Sequence, residues 1–185
     1  FGGSQGAQRL NEIAFAAAPH FRRHGVQVLH VVGPRNAEEP QDLTEDGVPY
    51  VAVPYVDRMD MAYAAADMAM CRSGAMTCAE LTAVGLPGAF VPLAIGNGEQ
   101  ALNAEPIVRA GGGITVDNAD ISVDWIAHEL LPVLTDTDRV VAMSEAAARM
   151  GRRDADMALA REVLAIARGD KPTPAMPVSG GVPDG

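Results

Sequence analysis

The chain has 185 residues, 48% of them apolar and 21% charged, and carries a formal net charge of −10. That composition supports one buried core and excludes a wholly solvated, disordered chain. The acidic balance excludes non-specific nucleic-acid binding, which depends on Lys and Arg against phosphate, and no apolar run reaches the roughly 18–20 residues of a membrane span.

Phe1 is followed at once by Gly2-Gly3-Ser4-Gln5-Gly6. A phosphate-binding turn of this type follows a complete β-strand. The sequence therefore predicts that the strand, and whatever lies upstream of it, fall outside this stretch of chain. Residues 8–24 place Leu10, Ile13, Ala14, Ala17 and Phe21 on one helical face, with Pro19 positioned to kink or split the helix. Residues 26–32 form a near-continuous apolar run, as in a parallel strand covered on both faces. Residues 33–48 are polar and Pro-bearing, which predicts a surface loop. Residues 50–53 read as a strand whose end is marked by Tyr55-Val56, and Asp57 is placed to N-cap a helix over 58–66.

The central stretch repeats this alternation. A strand over 68–71 meets the turn Arg72-Ser73-Gly74, and a helix starts at Ala75 or Met76. A strand over 89–91 then meets a Gly-rich loop and a helix that starts at Glu99. Gly111-Gly112-Gly113 closes that helix and leads into a last strand over 113–116. Helices follow over 123–134, 139–150 and 154–168, and the Pro- and Gly-rich residues 169–185 read as a disordered tail. The pattern predicts an α/β fold, a Rossmann-like doubly wound parallel sheet over residues 1–168 with a helical C-terminal segment.

Each crossover exposes a helix N-terminus at the carboxyl end of a strand, where free N–H groups and the dipole attract phosphate. Arg72, Ser73 and the amides of Gly74, Met76 and Thr77 form the candidate diphosphate site, with Arg72 supplying charge-assisted bonds. Gly3, Ser4 and Gly6 form a second anion-binding turn. Glu80 lies one turn after Thr77, where its carboxylate can accept from both hydroxyls of a ribose; Thr77 to Glu80 also has the form of a capping box. Glu99, Gln100 and Asn103 can meet sugar hydroxyls. The strand over 26–32 ends in Val32-Gly33-Pro34, without the acidic residue of a dinucleotide site. No metal cluster, catalytic triad, Walker loop or cofactor motif appears. Cys71 and Cys78 read as buried thiols and the four histidines as structural or surface residues.

Ser-Gly-x-x-Thr-x-x-Glu from Ser73, then Gly-x-Pro, Val-Pro and Glu-Gln-x-x-Asn-Ala, resembles the donor half of nucleotide-sugar glycosyltransferases of the GT-B architecture. Arg72 to Thr77 with the opening Gly2 to Ala7 are similar to the branch that adds N-acetylglucosamine to lipid I to form lipid II in peptidoglycan synthesis. The resemblance implies UDP-N-acetylglucosamine as donor partner and a Glu80–ribose contact. It also implies a Val56 backbone that reads the uracil edge beside Met59, and Ser4 near the diphosphate. It implies no cofactor, and places the catalytic base, the lipid I site and contact with the cytoplasmic membrane face on an N-terminal domain outside this chain. A transferase with a soluble acceptor and a non-catalytic nucleotide-sugar module are the alternatives.

Overall fold

A computed structural model describes residues 1–2, 7–36, 40–93 and 98–170. They fall into two compact units, Phe1–Gly151 and Arg152–Gly185. The first contains α1 (Gln8–Ala16), α2 (Ala18–Arg23), β1 (Val28–Val31), β2 (Gln41–Asp42), β3 (Tyr50–Val53), α3 (Met59–Ala65) and β4 (Ala69–Cys71). It continues with α4 (Ala75–Val84), β5 (Gly88–Phe90), α5 (Glu99–Arg109), β6 (Gly113–Thr115), α6 (Val123–Trp125), α7 (Leu131–Leu134) and α8 (Thr137–Met150). The second unit holds α9 (Ala155–Ala167). The expected tail lies almost wholly outside the described residues.

The strands run parallel apart from β2, in two three-stranded sheets of order β1-β3-β2 and β4-β5-β6. Helices cover both faces. On one, Ala17 and Phe21 of α1–α2 and Ile126, Leu130 and Leu131 pack on Val32, Tyr50, Ala52 and Ala89. On the other, Tyr63, Cys78, Leu81, Ala104 and Ile107 of α3, α4 and α5 pack on Ala69, Cys71 and Phe90. Burying one such large side chain contributes about 1.5–3 kcal/mol, so these two layers hold the strand ends in place. Between the free edges of β1 and β4 runs a cleft of about 980 Å³, lined by Val28, His30 and Val31 and by Met68, Ala69 and Met70. On its β4 side the Phe1 amino group donates to the Met70 carbonyl at 2.8 Å.

Local chemistry explains where the elements begin and end. Pro19 splits the first helix as expected, because it has no N–H to continue the ladder. Gly112 packs against α8 so closely that a Cβ there would lie 2.9 Å from Ala147 Cα. The expected helix over 123–134 contains a π turn, Ile126–Leu130, since Pro132 has no N–H for the His128 carbonyl.

Three expectations are corrected. Asp57 does not cap α3: the helix starts at Met59 after Arg58 with no side-chain cap, and Arg58 is engaged with Asp60 at 2.6 Å. The β3 strand ends at Val53, so Tyr55 and Val56 belong to the loop that follows it. The expected surface loop contains β2, which pairs antiparallel with β3. Its turn has Asp46 and Gly47 at φ 52° and 75°, the left-handed pair that closes a tight hairpin.

Candidate functional site

The site forms where β4 leaves the sheet. Cys71 is buried, and the chain turns through Arg72 and Ser73 into Gly74, the extended N-cap of α4 at φ −63° and ψ 150°. The first bond of the helix runs from the Cys78 N–H to the Gly74 carbonyl at 3.0 Å. Among the described residues the N–H groups of Ala75, Met76 and Thr77 therefore have no partner, and they concentrate the positive end of the helix dipole. Ser73 is fully enclosed, at 0% exposure, and among the described residues its hydroxyl has no hydrogen-bond partner. It does not cap α4. An enclosed hydroxyl left unpaired costs about 1–3 kcal/mol. A Cβ on Gly74 would meet only Thr77 Oγ1, at 4.0 Å. Among the described residues neither packing nor backbone angle requires glycine there.

Two arginines supply charge. Arg72 donates from Nη1 to the Val91 carbonyl at 3.0 Å, linking the ends of β4 and β5. Burial, and then the nearby Arg9 guanidinium, lower its pKa from the usual arginine range, though a guanidinium stays charged. Arg9 is itself braced by bonds from Nη2 to the carbonyls of Ala119 at 2.9 Å and Ile121 at 3.2 Å. Two like charges held near one another attract an anion between them. Arg9 escaped the sequence reading because it lies on α1 in no motif.

Glu80 is exposed, and its Oε2 accepts from the Tyr63 hydroxyl at 2.8 Å. The capping-box alternative is not formed, because α4 starts two residues before Thr77. Tyr63 was also missed: seventeen residues separate the pair in sequence, and no local pattern couples them. Burial first, and then the bond to Glu80, raise the Tyr63 pKa, so the phenol keeps its proton.

Helix α5 closes the other side. Gln100 Oε1 accepts from the Leu93 N–H at 3.0 Å, leaving the amide NH₂ as a donor. Asn103 Nδ2 donates to the Ser73 carbonyl at 3.1 Å, leaving its oxygen as an acceptor. The structure thus brings Arg72, Ser73, Gly74, Thr77, Gln100 and Asn103 to one sheet edge, with Met76 exposed on the first turn of α4. Glu99 stands exposed in the first turn of α5, as dipole stabilisation favours, and among the described residues meets none of the others. Val56 is half-buried, and among the described residues its backbone has no hydrogen-bond partner. Met59 is partly buried and packs against the core cluster that contains Tyr63. Gly3, Ser4 and Gly6 lie outside the described residues.

His30 is structural: buried, it meets Tyr50 Oη and Asn11 Oδ1, each at 3.0 Å. Among the described residues no group of His, Cys, Asp and Glu could hold a metal ion. None of their helices is long and apolar enough to cross a membrane.

Residues 1–159 match the family model described as the glycosyltransferase family 28 C-terminal domain. A UDP-N-acetylglucosamine--N-acetylmuramyl-(pentapeptide) pyrophosphoryl-undecaprenol N-acetylglucosamine transferase of Thermobifida fusca (strain YX) is 73% identical over 178 residues, 96% of this chain and 47% of that protein. The protein of the same name from Streptomyces coelicolor is 60% identical over 156 residues, covering 84% of this chain and 43% of its own length. The chain thus spans about half the length of the curated relatives it matches. The crystal structure of Acinetobacter baumannii MurG superposes with a TM-score of 0.73 over 86% of this chain and 49% of that one. At 23% identity this likeness establishes the fold.

Proposed function

From the premise that this chain belongs to the glycosyltransferase family 28 C-terminal domain family, we propose that it is the donor-binding half of an N-acetylglucosaminyltransferase. Its ligand is UDP-N-acetylglucosamine. The intact enzyme moves the sugar to lipid I, the pyrophosphoryl-undecaprenol carrying N-acetylmuramyl-pentapeptide, and forms lipid II at the cytoplasmic face of the membrane as a peripheral protein. The observation that carries this reading is the fully enclosed Ser73 hydroxyl, unpartnered among the described residues, beside the α4 amides that are likewise unpaired among them.

In the reaction an acceptor hydroxyl attacks C1 of the sugar. The C1–oxygen bond to the diphosphate breaks as the new C1–oxygen bond forms. The acceptor proton passes to a base, and UDP departs carrying the bonding electrons. The α4 amides and Arg72 stabilise the charge that gathers on the leaving diphosphate, which is electrostatic catalysis by groups already in place. Glu80 holds the ribose, the Val56 backbone meets the uracil, and Gln100 and Asn103 offer the sugar one donor and one acceptor. Gly3, Ser4 and Gly6 complete the diphosphate cradle, and Glu99 borders the sugar.

The base and the acceptor site belong to the other half of the enzyme. Residues 1–185 alone are therefore expected to bind donor and to give no lipid II from lipid I and UDP-N-acetylglucosamine, because orientation of the acceptor supplies several kcal/mol of the barrier. Robust turnover by these residues alone would place the base inside this sequence and overturn the division of labour.

A further inference from the structure

We propose that Tyr63 is the positioning residue for Glu80: it aims the carboxylate at the vicinal diol of the bound ribose and so sets the preference for a ribonucleotide over a deoxyribonucleotide. This rests on the donor-binding reading above and adds to it the residue that makes the ribose contact selective.

Glu80 is an exposed side chain with three rotatable bonds, and such a side chain has no single orientation in water. Its one partner among the described residues is the Tyr63 hydroxyl, at 2.8 Å from Oε2. Tyr63 cannot follow a wandering carboxylate. It is 8% exposed and wedged in the core among Ala69, Cys71, Cys78 and Leu81, with its ring tilted against Phe1 at a centroid distance of 6.1 Å. A mobile acceptor is thus tied to an immobile donor.

The stoichiometry of the bond matters. A phenol has one proton, and Tyr63 gives it to Oε2; a carboxylate has acceptor capacity for more than one donor. Oε1, and the second lone pair of Oε2, remain for two hydroxyls presented side by side. A nucleotide lacking one of them leaves part of the oriented carboxylate unpaired, which is how a polar site rejects the deoxy analogue. Tyr63 also belongs to α3, which opens at Met59 just after the Val56 loop. The same hydrogen bond therefore ties the segment beside the base to the residue beside the ribose.

The test is calorimetric titration of the 185-residue chain, and of its Tyr63→Phe, Glu80→Ala and doubly substituted variants, with UDP and with 2′-deoxy-UDP. Thermal melts run alongside. Tyr63→Phe keeps the ring and removes only the hydroxyl. The expected result is an unchanged melt, about fivefold weaker binding of UDP and little change for 2′-deoxy-UDP, so that the preference shrinks. In the Glu80→Ala background, Tyr63→Phe should have no further effect. A Tyr63→Phe variant that keeps the full preference, or that weakens both nucleotides equally, overturns the inference while the donor-binding reading stands. Loss of that preference in neither Tyr63→Phe nor Glu80→Ala would take the ribose reading down as well.

Discussion

Asn103 on α5 donates its side-chain amide to the carbonyl of Ser73, 3.1 Å away, and so fastens the second helix of the site to the turn that begins the first. The two crossovers come from different parts of the chain, and this bond makes them one surface. Asn103→Ala leaves the Ser73 carbonyl without that donor. A stability loss of about 1 kcal/mol is expected, with donor affinity about fivefold weaker. Asn103→Asp should be worse, because it sets a carboxylate against the Ser73 carbonyl oxygen, at the edge proposed to take the diphosphate. Melts and titration with UDP-N-acetylglucosamine check both.

His30 predicts a pH dependence. Burial, and then the positive chain terminus, hold its pKa down at about 4, against 6.5 when free. Between those values the unfolded chain binds the proton and the folded chain does not, so stability falls as pH drops from 6.5 towards 4. The expected loss is about 2–3 kcal/mol, and chemical denaturation at a series of pH values measures it. His30→Leu should flatten the slope while lowering stability at neutral pH, since Asn11 and Tyr50 lose their shared partner.

Cys71 and Cys78 are free and buried, and burial pushes their thiols up to about 12 and about 11. At pH 8 a thiol near 11 is ionised to about one part in a thousand, and the thiolate is the reactive form. A thiol reagent should therefore label the folded chain slowly and the urea-unfolded chain at once. Rapid labelling of the folded chain would contradict the packing around α4.

The parts legible in the sequence were those written in adjacent residues. Strand, small-residue turn and helix at Arg72 to Ala75 marked the crossover proposed to hold the diphosphate, and Pro19 marked a helix break. Asp46-Gly47 also carried a hairpin signal, yet β2 is only two polar residues long and has no apolar alternation to support it. Asp57 had the chemistry of a cap, but the backbone entered the helix after Arg58. Tyr63 and Arg9 were illegible for another reason. Their partners, Glu80 for one and the carbonyls of Ala119 and Ile121 for the other, are brought close only by the packed sheet.

The cleft between β1 and β4 offers the free edges of two sheets and apolar walls. An engineered extension of about six near-continuous apolar, β-branched residues before Phe1 should seat there as a parallel strand. Raised thermal stability and slowed amide exchange at Val28–Val31 and Ala69–Cys71 are expected. The same extension with proline at alternate positions, which removes the donors, should give neither.

The central claim is that the edge around Ser73 binds a uridine diphosphate sugar. Calorimetric titration of the chain and its Arg72→Ala variant with UDP-N-acetylglucosamine, UDP and NAD tests it most directly. Arg72 supplies a charge-assisted bond, so its loss should weaken both uridine ligands about 10- to 150-fold, with NAD not bound by either protein. Tight binding of NAD with no binding of UDP, or UDP binding that Arg72→Ala leaves untouched, would contradict the account.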